Sequence, residues 1–385
     1  MKVAERKDIE IDFGRIEAQR TRLNLGPQHP STHGVLRLEV ELDGEIVTEV
    51  VPHIGYLHRC FEKYAENKTY PQVIPYIDRL DYITSMSNEI PYVLGIEKMM
   101  GIKVSEKVEA IRTILAELNR IASHQIAVAT FGMDAGAFTP FLFFFRDRES
   151  ILDIFEKLSG ARLLYNYIRI GGLMNDLYPS FKNDVLDVIN VIRKTNAEVM
   201  DLLIDNKIFI ERTINIGVLP ADVAISFGCS GPVLRGSGVP FDLRRDEPYL
   251  NYDKFDFEVC VGKGEMGTLG DSYDRNIVRY HEMEESCRII EQALKILPDA
   301  SEDVRSAMPK KVAPKGEIYA KAENPKGELG FYIVGDGKNK PARIKSRSAC
   351  FVNLSALPAI SQGSMIADLI LILGSVDIVL GEVDR

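Results

Sequence analysis

Nine residues near the N-terminus, Gly26-Pro27-Gln28-His29-Pro30-Ser31-Thr32-His33-Gly34, cannot extend a helix or a strand, because glycine and proline interrupt both. They hold two of the chain's six histidines and run directly into strict alternation. Over residues 35–42, Leu36, Leu38, Val40 and Leu42 fall on one face and Arg37, Glu39 and Glu41 on the other. Asp43-Gly44 supplies a turn and residues 45–51 return, which predicts a β-hairpin. Its strands lead from His33 to His53-Ile54-Gly55-Tyr56, so the two loops are expected side by side. Histidines in such a loop can simply hydrogen-bond a tight turn. A polar loop held against a regular element is also where binding chemistry concentrates.

The middle of the chain changes period. Ser105 can cap a helix in which Val104, Val108, Ile111, Leu115, Leu118 and Ala122 recur at i, i+3/i+4, with Glu106, Glu109, Arg112 and Glu117 expected to face away. That helix runs towards Asp134. A second is expected from Thr139-Pro140 past Arg146 and Arg148 to about Arg169, with proline in its first turn. Others cover 184–204 and 274–297, the last with Ile277, Tyr280, Met283, Cys287, Ile290 and Leu294 as its inner stripe. Strand periodicity returns over 316–353, with Gly335-Asp336-Gly337-Lys338 as a turn, and a final helix is expected over about 354–373. The fold class is α+β: a predominantly helical bundle core with small antiparallel sheets near the N- and C-terminal parts. The expected divisions are a charged N-terminal extension (1–22), the hairpin region with its loop (23–66), a helical core (67–312), and a C-terminal β region, helix and tail (313–385).

A formal net charge of −9, from 47 basic and 56 acidic residues, argues against nucleic acid as the main partner. Five cysteines stand singly at 60, 229, 260, 287 and 350, with no CxxC. That suits a reducing compartment and removes the usual thiolate cradle for zinc, nickel or iron–sulfur. The first 22 residues lack the apolar run of a secretory signal, and the most apolar stretches are too short or too acidic to span a bilayer. A soluble protein on the cytoplasmic side is expected.

Three chemistries can be weighed from the residues. The pairs His29/His33 and His53/His58 do not share a helical ligand face, and no HExxH is present, so no bound metal is expected. Gly228-Cys229-Ser230-Gly231 and Gly236-Ser237-Gly238 resemble phosphate cradles but lack a following Lys-Ser/Thr, and are read as backbone geometry. What remains is a proton-handling set. Histidine passes protons near neutral pH, the Tyr82 hydroxyl can donate to a carbonyl oxygen, and Asp134 beside a histidine would hold and reload its charged form.

At these residues the chain becomes recognisable. GPQHPSTHGVLRL (26–38), HIGYLHRCFEK (53–63), RLDY (79–82), LNRIASH (118–124), MDAGAFTPFLFFFRDRE (133–149), SGPVLRGSGVPFDLR (230–244), GDSYDR (270–275) and DIVLGEVDR (377–385) occur in order. The chain resembles the D-subunit family of proton-pumping NADH:quinone oxidoreductase, respiratory complex I, from about residue 23 to its end. That family is related to the nickel–iron hydrogenase large subunit, whose metals sit on two CxxC pairs. Here residues 79–86 and 377–382 occupy those regions without cysteine, and Val379 and Glu382 stand where thiolates would be.

The resemblance implies a quinone head group in the vacated cavity. His33 and Tyr82 would bond its two carbonyls and protonate it, Asp134 would partner His33, and Arg59 would lie against the terminal [4Fe–4S] cluster of the adjacent small subunit. Quinone is then substrate; NAD and the iron–sulfur clusters belong to partner subunits, and none is held by this chain. The implied partners are that small subunit, other peripheral-arm subunits, and the membrane-arm subunit at the quinone entrance. The implied place is peripheral, on the cytoplasmic face of a bacterial inner membrane. A ferredoxin- or deazaflavin-fed complex is the alternative donor arrangement, and a membrane-bound hydrogenase subunit a remoter one. Two departures stand out: relatives usually have glycine where this chain has Cys60, and many have histidine where it has Phe131. The pH-dependent cluster potential associated with that histidine is not expected here.

Overall fold

In a computed structural model, residues 20–298 and 303–385 are described. The expected extension over 1–22 therefore lies largely outside the described residues. Strands β1 (Thr21–Leu25), β2 (Arg37–Asp43) and β3 (Ile46–His53) form an antiparallel sheet in that order. The hairpin is as expected, and β1 adds a third strand, pairing Leu23 with Val40. Arg37 lies opposite His53, which sets the loop of His33 beside that of His53. The alternation works as its period dictates: Leu36, Leu38, Val40 and Leu42 are buried. They pack with Leu369, Ile372, Leu373, Val376 and Leu380 near the C-terminus. The N-terminal loop is thereby held against the tail of the chain.

The larger core is helical: α1 (Tyr70–Ile77), α2 (Ser85–Met100), α3 (Glu106–Asp134), α4 (Thr139–Ser159), α5 (Phe181–Val199) and α6 (Ser272–Ile296). Ser105 caps α3 by accepting from the Val108 amide. Several expectations need correction. α4 stops at Ser159 rather than near Arg169, because Gly160 takes a left-handed φ of 79° and closes the last turn. Residues 168–169 and 172–173 instead form a small two-stranded ladder. α2 is not among the expected helices; it is buried on nearly every side and so shows no amphipathic stripe. Arg112 and Glu117 of α3 do not face solvent. Arg112 makes a paired contact with Glu97 at 2.7 and 2.9 Å, and Glu117 receives Arg120 and Arg244 at 3.1 Å each. α6 likewise buries polar as well as apolar residues, so its core contacts exceed one stripe.

At the C-terminal end, β4 (Lys315–Asn324), β5 (Gly327–Asp336) and β6 (Arg343–Arg347) form the second three-stranded antiparallel sheet. Gly335 and Asp336 still belong to β5, so the turn begins later than expected. The single helix expected over 354–373 is three pieces, Ala349–Ser355, Leu357–Ser361 and α7 (Ile366–Val376). Pro358 opens the second piece, and Gly363, with φ 82°, ends the turn before α7. A last helix, α8 (Leu380–Asp384), turns back beneath the loops. The architecture is α+β, as expected. The glycine segments serve close approach: a Cβ on Gly231 would stand 2.5 Å from Gly327 backbone.

Candidate functional site

The irregular loop ends in a short 3-10 turn, Pro30–Thr32, closed by His33 in the left-handed region (φ 53°). Thr32 fixes the turn with its hydroxyl, donating to the carbonyls of His29 at 2.8 Å and Gly34 at 3.0 Å. His29 is committed to that turn through its Nδ1, which accepts from the Ser31 amide at 3.2 Å. His33 projects elsewhere. Its Nε2 stands 2.8 Å from Asp134 Oδ2 at the end of α3, with both side chains partly accessible. The contact lacks hydrogen-bond alignment, and among the described residues neither buried atom has a hydrogen-bond partner. Gly374 of α7 makes the room: a Cβ there would stand 3.0 Å from Asp134 Oδ2 and 3.3 Å from His33 Nε2. Phe131, one turn before Asp134, is buried edge-on against Phe209 and offers the pair no polar contact.

Tyr82 lies in the turn between α1 and α2, over a third exposed. Among the described residues its hydroxyl has no hydrogen-bond partner. Burial of the ring, reinforced by Asp81, raises its phenol above the ordinary value, so it stays protonated and suits donation. Arg59 is an electrostatic neighbour of Tyr82. Its guanidinium donates to the Arg79 carbonyl and, at 3.2 Å, to the Gly381 carbonyl. Gly381 is obligatory there, since a Cβ would stand 2.6 Å from the Leu80 carbonyl oxygen. Cys60 follows Arg59 at φ 56°, a conformation in which glycine is at ease. Beside Arg59 a cavity of about 400 Å³ is lined by His58, Cys60, Lys63, Lys345 and Arg385, among others.

The structure thus brings His33 to Asp134 and Tyr82 to Arg59. Between the two pairs stand groups that sequence reasoning does not single out. Lys326, in the turn joining β4 and β5, is buried, with Nζ 3.2 Å from Asp81, 3.6 Å from Asp377 and donating to Ser123 at 2.9 Å. Burial opposes its charge, but Asp377 and Asp81 outweigh this and raise its ammonium above the ordinary range. Asp377 follows α7 at φ 57°, and His33 is among the groups that stabilise its charge. The sequence signal is faint: Asp81 and Asp377 lie inside recognisable motifs, whereas a lysine in an Asn-Pro-Lys-Gly turn ordinarily points to water.

Where the resemblance places thiolates, Glu382 is buried and accepts from the Ala349 amide at 2.7 Å and the Cys350 thiol at 2.9 Å. Val379 leads into α8. Among the described residues no group of three His, Cys, Asp or Glu side chains could hold a metal ion, and no helix is long and apolar enough to cross a membrane.

Comparison with known proteins meets this geometry. The family described as respiratory-chain NADH dehydrogenase, 49 kDa subunit, matches residues 134–385. The D subunit of the NADH-quinone oxidoreductase of Prosthecochloris aestuarii is 54% identical over 383 residues, covering 99% of this chain and 95% of its own. That of Chlorobium luteolum is 56% identical over 366 residues, 94% and 93% of the two chains. That of Chlorobaculum tepidum is 54% identical over 384 residues, 99% and 95%. Likeness at this level, across nearly the whole length, shows that the chain belongs to the family of the 49 kDa subunit of respiratory-chain NADH dehydrogenase, the D subunit of complex I.

Proposed function

We propose that this chain forms, with an adjacent iron–sulfur small subunit, the quinone-reducing site of a proton-translocating NADH:quinone oxidoreductase. Reduction of a quinone to a quinol takes two electrons and two protons. The partner's terminal [4Fe–4S] cluster supplies the electrons; this chain supplies hydrogen-bond donors and protons. One thiolate pair of the related hydrogenase subunit is replaced here by Val379 and Glu382, and residues 79–86 take the region of the other without cysteine, which suits a fold whose metal cavity has become a pocket for an organic head group.

His33 and Tyr82 each address one quinone carbonyl. With Nε2 facing Asp134, Nδ1 is the His33 nitrogen left to donate. Asp134 partners that imidazole through its charge while Nδ1 gives up the proton. Tyr82 donates from a phenol kept protonated by burial, and Lys326 with Asp377 joins the two donors electrostatically. Arg59, anchored by the Arg79 and Gly381 carbonyls, presents its guanidinium towards the cluster side. Both donors open on the surface because the other half of the pocket belongs to partners, including the membrane-arm subunit at the quinone entrance. Other peripheral-arm subunits hold the chain at the cytoplasmic face of the inner membrane.

The observation that carries this reading is the His33–Asp134 contact, close yet unaligned, together with the unpartnered Tyr82 hydroxyl. The test is Tyr82→Phe in the assembled complex. Quinone reduction is expected to fall by about a hundredfold, the usual scale for a lost proton donor, with assembly unchanged. Turnover and quinone KM equal to the parent's would refute the role of Tyr82.

A further inference from the structure

The two helices flanking the turn of Tyr82 carry a pair of acids outside the set proposed for quinone reduction. Asp78 ends α1, four residues before Tyr82, and Glu89 sits in the first turns of α2; both are fully buried. Glu89 accepts from two amides, Tyr167 at 3.1 Å and Ile168 at 2.6 Å, one on each oxygen. Asp78 Oδ2 accepts from the Asn166 amide at 2.8 Å. Among the described residues Asp78 Oδ1 is buried with no donor, and the amides of consecutive residues, Asn166, Tyr167 and Ile168, set the two carboxyls beside each other as electrostatic neighbours. Among the described residues no lysine or arginine pairs with either. The charged and titratable groups around them are Arg79, whose guanidinium is taken by the Pro75 carbonyl, and Tyr165, which also faces Arg148. Two carboxylates cannot both stay ionised in contact without a cation. The missing donor is a proton.

We propose that Asp78 and Glu89 share one proton, and that this protonated clasp is the positioning device for the turn that presents Arg79 and Tyr82. The clasp ties three segments together. The α1 end hangs on α2 through Ser85 Oγ, which donates to the Asp78 carbonyl at 3.0 Å, and Asn88 Nδ2, which donates to the Asp81 carbonyl at 2.7 Å. The third segment, residues 164–168, carries left-handed Leu164 and Asn166 and is held by the three amides that the acids accept. Without the proton, repulsion opens the seam between the α1 end and α2, from which the turn of Tyr82 is held. Burial without a counter-ion raises both carboxyls above their ordinary range. Above that ordinary range the unfolded chain has released both protons while the folded chain keeps one, so this pair makes stability fall as pH rises.

The inference rests on Tyr82 acting at the quinone, and the two claims are separable by experiment. In the complex purified from membranes, thermal inactivation is followed from about pH 5 to about pH 8, alongside quinone kcat and KM. Asp78→Ala is expected to raise quinone KM about tenfold. Asp78→Asn is expected to rescue it, because the Asn amide can donate to Glu89 without any proton, and to remove the pair's share of the stability loss at higher pH. Glu89→Gln should be worse than Asp78→Asn, since its amide would face the Tyr167 or Ile168 N–H. An Asp78→Asn complex that fails to assemble, keeps the parent's pH dependence, or is as damaged as Glu89→Gln overturns the proposal. Tyr82→Phe should keep the parent's stability profile, so a failure of the Tyr82 reading would appear in its turnover alone.

Discussion

Two histidine–carboxylate pairs in this molecule have the same separation and opposite characters. His33 Nε2 and Asp134 Oδ2 are 2.8 Å apart, and so are His124 Nε2 and Glu282 Oε2. The first pair is 20% and 15% exposed and lacks hydrogen-bond alignment; the second is 0% and 1% exposed and well aligned. Glu282 is also saturated, its other oxygen accepting from Arg235 Nε at 2.8 Å. Burial opposes its charge, but Arg235 and the His124 hydrogen bond win and hold it ionised well below the ordinary carboxylate range. His124 is driven the other way: burial lowers it to about 4, so it is neutral at physiological pH and donates from Nε2 as a structural group. The same distance thus occurs in two different settings, which differ in access and in how many other partners the carboxylate serves.

The largest effect should come from breaking the buried pair. Glu282→Gln leaves Arg235 the carboxylates of Asp242 and Glu323 and the Phe241 carbonyl and forces an amide into a site built for charge. Losing one member of a buried ionic network typically costs about 3–5 kcal/mol, so thermal unfolding should drop steeply or assembly fail. A loss below about 1 kcal/mol, the scale of an exposed pair, would mean that the network relaxes and the contrast is overstated. Asp134→Asn tests the other pair. Its stability cost should stay within about 1 kcal/mol, as for a partly exposed pair, while quinone reduction falls about a hundredfold if His33 is the donor proposed above, through loss of the carboxylate charge beside it. Comparable damage to stability at both positions would erase the distinction.

Next comes Gly374→Ala, which acts on the open pair without touching its chemistry. The new Cβ would press Asp134 Oδ2 and His33 Nε2 apart by a few tenths of an ångström, with the Phe131 ring also 3.3 Å away. Overpacking of this kind costs about 1–3 kcal/mol, and alanine in place of glycine inside α7 returns about 1 kcal/mol. Folding should therefore change little while quinone reduction falls several-fold. Parent-like turnover would show that the His33–Asp134 spacing is not under constraint.

How much of this contrast is legible in the sequence follows from periodicity and its limits. The hairpin can be read because period-2 alternation puts Leu36, Leu38, Val40 and Leu42 on one face, and that face is buried. The loop can be read because glycine and proline forbid its regular alternatives. The buried charges cannot: Arg112 and Glu117 sit at helical positions that normally reach water, and only the tertiary fold supplies their partners. Helix α2 escapes for the same reason, being enclosed on nearly all sides and so without a polar face. At the site, His33, Asp134, Tyr82 and Arg59 stand in recognisable motifs, but Lys326 and Gly374 do not announce themselves. One occupies a turn where lysine is usually solvated, and the other an apolar helix where glycine looks incidental.

The smallest effect is the most discriminating. His124 is neutral in the folded chain down to about pH 4, whereas in the unfolded chain it takes up its proton near the ordinary histidine value of about 6.5. Between those values the unfolded state binds more protons, so stability due to this residue is fully present above about pH 6.5 and is lost as pH falls towards about 4. His124→Gln keeps a donor for Glu282 and removes the titration. It should cost about 1 kcal/mol at neutral pH, the scale of one altered buried hydrogen bond, and should flatten the acid limb of the stability profile relative to the parent. The same measurement on the whole complex carries the comparison into function. If His124 is a fixed structural donor, quinone turnover in His124→Gln should keep the parent's pH profile, with any loss uniform across pH. A turnover profile that shifts with this substitution would make the buried pair part of the proton path and dissolve the division between the two.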